Sequence, residues 1–245
     1  MSNKIQLRGS TWDDPRGYEP MVATAAAFQR DHPHVEIRWE KRTLHEFGHA
    51  AADELARNFD LVVLDHPRVG FIAATHCYLP LDKYIPAATL AELARHSAGP
   101  SHRSYQWDGH QWVLAIDAAT PSASYRPDLL KNIPRTWADV LAVGRHGRLA
   151  CPLGAVDAIT VFLSLADNLG AQPFASRERV VDHAAGQRVL AVMQELVALC
   201  VPDTFELTPV SMMDRMSRTD EIIYCPLAYS YSNYALPGYR PHLCR

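Results

Sequence analysis

The chain has 245 residues, 48% apolar and 21% charged, with a formal net charge of −3. That is enough for one large or two small globular domains and is not the composition of a disordered or fibrous protein. It lacks the basic excess of a nucleic-acid binder, so no nucleic-acid partner is expected. Five cysteines (Cys77, Cys151, Cys200, Cys225, Cys244) are odd in number, widely spaced and without a CxxC. They read as buried thiols in a reducing compartment rather than a disulfide framework or zinc ribbon. No long apolar run marks a transmembrane segment, and no apolar stretch after Met1 marks a signal peptide. Read as complete, the chain is cytoplasmic.

In chain order, Ile5 to Arg8 is a short strand closed by Gly9-Ser10, and residues 13–17 carry turn chemistry. From Glu19 to Arg30, Met21, Val22, Ala25 and Phe28 share one helical face, and Asp31-His32-Pro33 stops it. Val35, Ile37 and Trp39 alternate with Glu36, Arg38 and Glu40, which predicts a strand polar on one side. Thr43 and Glu46 form a capping box for a helix whose buried stripe is Phe47, Ala51 and Leu55. The largely apolar stretch from Phe59 to Leu64, with Asp60 its one polar residue, suits a parallel strand covered on both faces. The order β-α-β-α-β predicts a parallel sheet with helices packed on it. Loop and helix follow over Leu79 to Ser97, then a polar, turn-rich stretch from Pro100 to Gly109. Strands are expected at Trp112–Ile116 and Ser122–Tyr125.

A second α/β region begins near Asp117 to Pro121. Thr136 and Asp139 cap a helix holding Trp137, Val140 and Leu141, and Arg148 to Pro152 reads as a strand. Val156, Ile159, Phe162, Leu163, Ala166 and Leu169 form an amphipathic stripe stopped by Gly170. A longer helix is expected from about Arg177 to Cys200, and a strand at Asp220–Cys225. The tail is dense in tyrosine and suits either a cleft lining or a packed interface.

In open parallel sheets ligands bind beyond the carboxyl ends of the strands. The residues there are Trp12, Asp13 and Arg16; Lys41 and Arg42; Asp65 and His66; and Asp117 with Thr120. An aromatic face with charged groups of both signs suits a small polar organic ligand. The sharpest competing motif is His45-Glu46-Phe47-Gly48-His49, which fits the H-E-x-x-H zinc-peptidase helix. There His45 and His49 would bind zinc and Glu46 would act as general base. Against it, the capping box already uses Glu46, His45 lies at the positive end of the helix dipole, and no third ligand has a familiar spacing. No nucleophile elbow and no glycine-rich phosphate loop is found, so no enzyme activity, cofactor or metal is expected.

The stretches LRGSTWDDPRGYEPMVATAAAFQRDHPHVEIRWEKRTLHEFG and FDLVVLDHPRVG, with others further on, are similar to ABC-importer solute-binding proteins. The first resembles the start of that family, and the second its third strand and ligand-side loop. CYLPLDKYI, PRTWADVLAVG and CPLGAVDAITVFLSLADNLGA resemble later segments, and WVLAIDAATPSASYRPDLL resembles the crossing between lobes. The resemblance implies a two-lobed periplasmic-binding-protein-like α/β fold with parallel or mixed sheets. It places lobe one at residues 1–117, lobe two at 118–225 and a return segment towards lobe one at 226–245. A small polar ligand, sugar-like or another polar metabolite, would be captured between the lobes for import by an ABC permease. By position it places Trp12, Arg16 and Tyr18 in the first ligand loop, Lys41 and Arg42 after the second strand, Asp65 and His66 after the third, and Asp117 at the hinge. Members run longer and are periplasmic, so the last elements of both lobes are expected to be missing after Arg245. Two other readings stand beside it: a zinc-dependent hydrolase built on residues 45–49, and a cytoplasmic ligand-sensing domain on the same fold.

Overall fold

The computed structural model describes residues 4–176, 178–229 and 231–245, without the side chains of residues 44, 45, 49, 155 and 156. The chain divides into two units, Met1–Ala118 and Ala119–Arg245.

In the first unit, β1 (Ile5–Trp12) is the centre of a three-stranded parallel sheet between β2 (Val35–Arg42) and β3 (Leu61–Val62). β1 and β2 run in register from Ile5↔Val35 to Trp12↔Arg42, and Ser10 pairs with Val62. All three strands therefore point their carboxyl ends the same way, which brings Trp12, Arg42 and the segment after Val62 to one edge. The strand expected over Phe59–Leu64 shortens to two residues in β3. α1 (Pro15–Asp31) starts four residues earlier than the periodicity predicts. Asp14 is its N-cap, accepting from the Arg16 N–H at 2.9 Å, and Pro15 sits where a helix needs no N–H.

The Thr43/Glu46 capping box forms as predicted, but the helix it opens is split. α2 (Leu44–His49) ends in extended backbone at Ala50 and Ala51, and α3 (Ala52–Asn58) follows. α4 (Val69–Thr75) had no reading in the sequence. α5 (Ala87–His96) lies within the expected loop-and-helix stretch. The strand expected at Trp112–Ile116 is absent among the described residues. In its place β4 (Gln106–Trp107) and β5 (His110–Gln111) form a hairpin inside the stretch read as loop. Asp108 and Gly109 both have positive φ, 49° and 77°, as a two-residue Asp-Gly turn requires. The core beneath this region joins Ala52, Val69, Ile72, Ala73 and Trp112, with Tyr78 and Tyr105 at its margin.

The second unit carries β6 (Ser122–Tyr125) antiparallel to β7 (Tyr224–Ala228), with Leu149 bridging to both Tyr224 and Cys200. The expected strand at Arg148–Pro152 is reduced to these single bridges, and the last strand lies later than predicted. Around it pack α6 (Trp137–Gly144), α7 (Ala155–Asn168), α8 (His183–Leu199) and α9 (Pro209–Arg218). α6 has the Thr136/Asp139 capping box, and Gly170 follows α7 at φ 78° as its stop. α8 begins six residues after Arg177 because Asp182 caps it, accepting from the Ala185 N–H at 2.9 Å.

The tail corrects an expectation. Residues 226–245, expected as a return segment towards lobe one, fall within the second unit. Arg245 exchanges two backbone hydrogen bonds with Tyr125, and His242 donates to the Ser217 carbonyl. Tyr234 is buried against Tyr231 and Tyr239, and its hydroxyl donates to Asp214 at 2.9 Å. These tyrosines act chiefly as core.

Candidate functional site

The strand register decides which of the expected residues meet. Trp12 and Arg42 are directly paired at the strand ends, and the Asp13 N–H donates to the Arg42 carbonyl at 2.7 Å. Thr11 Oγ1 donates to the Gly17 carbonyl at 2.9 Å, tying the first turn of α1 to the end of β1. The Trp12 ring is thereby enclosed and only 6% exposed. It stacks on Phe47 of α2, centroids 5.5 Å apart, and the Arg16 guanidinium lies 4.9 Å from its centre. The Arg42 guanidinium sits 5.3 Å from the centre of the Phe47 ring. Arg16 thus makes a cation–π contact with Trp12, and Arg42 makes one with Phe47. Trp12 was expected to offer a face to a ligand; in this arrangement its faces serve Phe47 and Arg16.

Around this stack lie the exposed charges. Arg16 Nε meets Asp117 Oδ2 at 2.6 Å, and Lys41 Nζ meets Asp13 Oδ1 at 2.8 Å while lying 4.5 Å over the Tyr18 ring. Asp65 and His66 are exposed and follow β3. His66 lies edge-on to Tyr105 at 5.4 Å. Burial among its neighbours pushes the Asp65 carboxyl above its ordinary value, although the His66 N–H and nearby Arg68 pull the other way. Burial, followed by the negative charges of Asp65 and Asp117, raises the Tyr105 phenol as well. Asp65, Asp117 and the Tyr105 phenol thus form an acidic group with Arg16 and Arg68 near it.

Thr120 is exposed and belongs to the second unit, whereas the other nine residues belong to the first. Sequence reasoning missed Phe47 as a stacking partner, Arg68 and Tyr105. Phe47 looked like a core position of a longer helix. Tyr105 lay in a stretch read only as loop, where the Asp-Gly hairpin signal at Asp108-Gly109 was the missed clue.

The H-E-x-x-H motif lies on α2, a helix of six residues. Glu46 Oε2 accepts from the Thr43 N–H and hydroxyl, both at 2.8 Å, which commits it to the cap. The side chains of His45 and His49 lie outside the described residues. Among the described residues no cluster of three histidines, cysteines or carboxylates is arranged to hold a metal ion, and no helix is long and apolar enough to cross a membrane.

Solved structures decide the fold. A solute-binding protein of an ABC transporter from Agrobacterium radiobacter K84, in complex with ribitol, matches 100% of this chain and 66% of its own length, at a TM-score of 0.73 and 16% identity. The chain has the fold of ABC-transporter solute-binding proteins. A solute-binding protein from Agrobacterium vitis S4 with bound D-mannitol matches 98% of this chain and 62% of its own, at a TM-score of 0.72 and 13% identity. The maltotriose-binding protein of Thermus thermophilus matches 94% and 63%, at a TM-score of 0.66 and 18% identity. The chain thus spans just under two thirds of the length of these proteins. No protein-family model matches it.

Proposed function

We propose that this protein is a solute-binding protein that captures a small sugar-like or polyol solute at the strand ends of its first unit, for delivery to an ABC permease. The observation that carries the reading is the gathering of Asp65, Asp117, Tyr105 and His66 beside Arg16 at the carboxyl edge of a parallel sheet, where such sheets receive ligands. Carboxylates and a phenol accept from and donate to hydroxyl groups, and aromatic edges cover the apolar faces of a carbon chain or ring. Ribitol, D-mannitol and maltotriose are bound by proteins of the same fold, which favours that chemistry. In this reading the protein binds its ligand without chemical change, as expected of the fold it shares with solute-binding proteins. The finer expectation that Tyr18, Lys41 and Asp13 touch the ligand belongs to the same proposal.

A thermal-shift screen of the whole chain against polyols, mono- and oligosaccharides, organic acids and amino acids tests it. A ligand selective for the folded state stabilises by about 2.7 kcal/mol at a hundredfold excess over its Kd. Asp65→Ala and Asp117→Ala are expected to weaken the response to the best sugar or polyol by tenfold or more. Unchanged affinity in both variants would remove this edge as the site.

A further inference from the structure

A charge taken out of water is costly unless hydrogen bonds and a counter-ion offset the loss. Arg42 has little of either. It is 9% exposed, and its Nη2 donates to the Val63 carbonyl at 2.6 Å. Its Nε and Nη1 reach no acceptor among the described residues. Arg16 and Lys41 nearby each have a carboxylate partner. Arg42 has none among the described residues, and neither has Arg68, whose hydrogen bonds go to the Gly48 and Ala50 carbonyls. Glu46, close enough to be felt by Arg42, is committed to Thr43. Burial holds the Arg42 guanidinium below its ordinary value, and the neighbouring charge of Arg68 works in the same direction.

A buried guanidinium with two unbonded nitrogens, Arg42, thus stands with Arg68 beside it at the strand edge proposed to receive the ligand. We propose that Arg42 is an anion-recognising residue of that site, and that the solute is a sugar-like molecule carrying a carboxylate or phosphate. This rests on the function proposed above. The cover over Arg42 is Phe47, on a six-residue helix held at its start by the Thr43/Glu46 box and at its end by Arg68. The anion reaches the two free nitrogens by displacing that ring, exchanging a cation–π contact for charge-assisted hydrogen bonds, which are stronger. A purely structural role explains Arg42 poorly. Supporting the Val63 carbonyl needs one donor, and Arg42 supplies it from Nη2 while leaving two nitrogens idle.

The experiment is calorimetric titration of the whole chain, at constant ionic strength, with glucose and mannitol, with gluconate, glucuronate and glucose 6-phosphate, and with inorganic phosphate. It is repeated on Arg42→Met with melting temperatures of the ligand-free proteins. The proposal expects at least one acidic compound to bind about tenfold or more tighter than its neutral counterpart. It expects that ratio to fall towards one in Arg42→Met, with a melting temperature unchanged or raised, because an uncompensated charge has been removed. Carboxylate against phosphate identifies the anion. Neutral sugars that bind as well as the acids overturn the proposal and leave the sugar-binding reading standing. So does an Arg42→Met variant that keeps the ratio, or melts more than about 4 °C lower in a way that marks Arg42 as a strut. Inorganic phosphate binding as tightly as every sugar, and losing affinity in Arg42→Met, keeps the anion site but overturns the sugar-like ligand. Binding of neither class overturns both.

Discussion

Gly17 is where the geometry of the site is most exposed to a single methyl group. A Cβ added there would lie 1.8 Å from Trp12 Nε1 and 2.0 Å from its Cδ1. Ordinary contact is about 3.5 Å, so the indole or the helix must give by more than about 1.5 Å. Neither moves freely. The indole is stacked on Phe47 and covered by Arg16, and the Gly17 carbonyl accepts from Thr11 Oγ1 at 2.9 Å. Against this stands the gain of replacing glycine by alanine in a helix, about 1 kcal/mol. Overpacking of a closed site costs about 1–3 kcal/mol and occasionally more. With overlap this deep the upper end applies, and Gly17→Ala is expected to destabilise by about 1–2 kcal/mol net. The control is Gly48→Ala, where an added Cβ meets nothing within 4 Å. There the propensity gain stands alone, and a few tenths to about 1 kcal/mol of stabilisation is expected. Urea unfolding followed by far-ultraviolet circular dichroism measures both. A Gly17→Ala protein as stable as the parent would refute the enclosed position of Trp12, because no other feature of the site predicts opposite signs for the two glycines.

Three further outcomes are expected. Arg126 is 1% exposed and bonded to Asp128 through two nitrogens and to Asp220, and this pairing lowers the Asp128 carboxyl to about 2. A depressed carboxyl adds stability above its unfolded value near 4 that disappears as pH falls through 2, so Asp128→Asn should be costly at pH 7 and nearly silent near pH 2 in urea titrations. Because the Asp128 side chain is half exposed, the full linkage value is reduced by screening to about 1 kcal/mol; equal destabilisation at both pH values would contradict the ion pair. Asp65 has the opposite sign: its raised carboxyl favours the protonated fold, a contribution present below about pH 4 and lost as pH rises through the folded value. Asp65→Asn should therefore raise the melting temperature at pH 7 and flatten its fall above pH 4, and a lower melting temperature at pH 7 would count against the crowded carboxyl. Finally, Cys151, Cys225 and Cys244 are buried, and burial pushes Cys200 up to about 12 and Cys244 to about 11. Native protein at pH 8 should thus show one fast thiol towards an aromatic disulfide reagent, lost in Cys77→Ser; two or more fast thiols in that variant would mean that the second unit opens.

How much was legible in the residues depends on whether the signal was local. The parallel order of the first unit, both capping boxes and the Gly170 stop come from spacing along a few consecutive residues, and each appears in the structure. Segments whose state depends on partners far along the chain were misplaced. The largely apolar stretch from Phe59 to Leu64 reads as a buried strand, yet only Leu61 and Val62 find ladder partners on β1. Arg148 to Pro152 reads as a strand, but it keeps single bridges to segments 50 or more residues away. The tail's tyrosines were ambiguous because nothing local says that Asp214 awaits the Tyr234 hydroxyl.

The site shows the same division more sharply. That Trp12, Arg42 and Asp65 lie past the ends of neighbouring parallel strands is readable, since strand direction follows from the β-α-β order. Which of them face solvent is not, because burial there is set by register and by a helix break. The pairing Trp12↔Arg42 places two large side chains at one level, and the break at Ala50-Ala51 makes α2 a short separate helix carrying Phe47 to the first and beside the second. A continuous helix from Leu44 to Asn58 would have made Phe47 an ordinary core residue on the stripe with Leu55. The polar loop set read from the sequence therefore separates into an enclosed support, Trp12 and Arg42, and an exposed rim of Asp13, Lys41, Asp65, His66 and Asp117. In the proposed site the rim meets hydroxyl groups and Arg42 an anion, and the Arg42→Met titration separates the two roles.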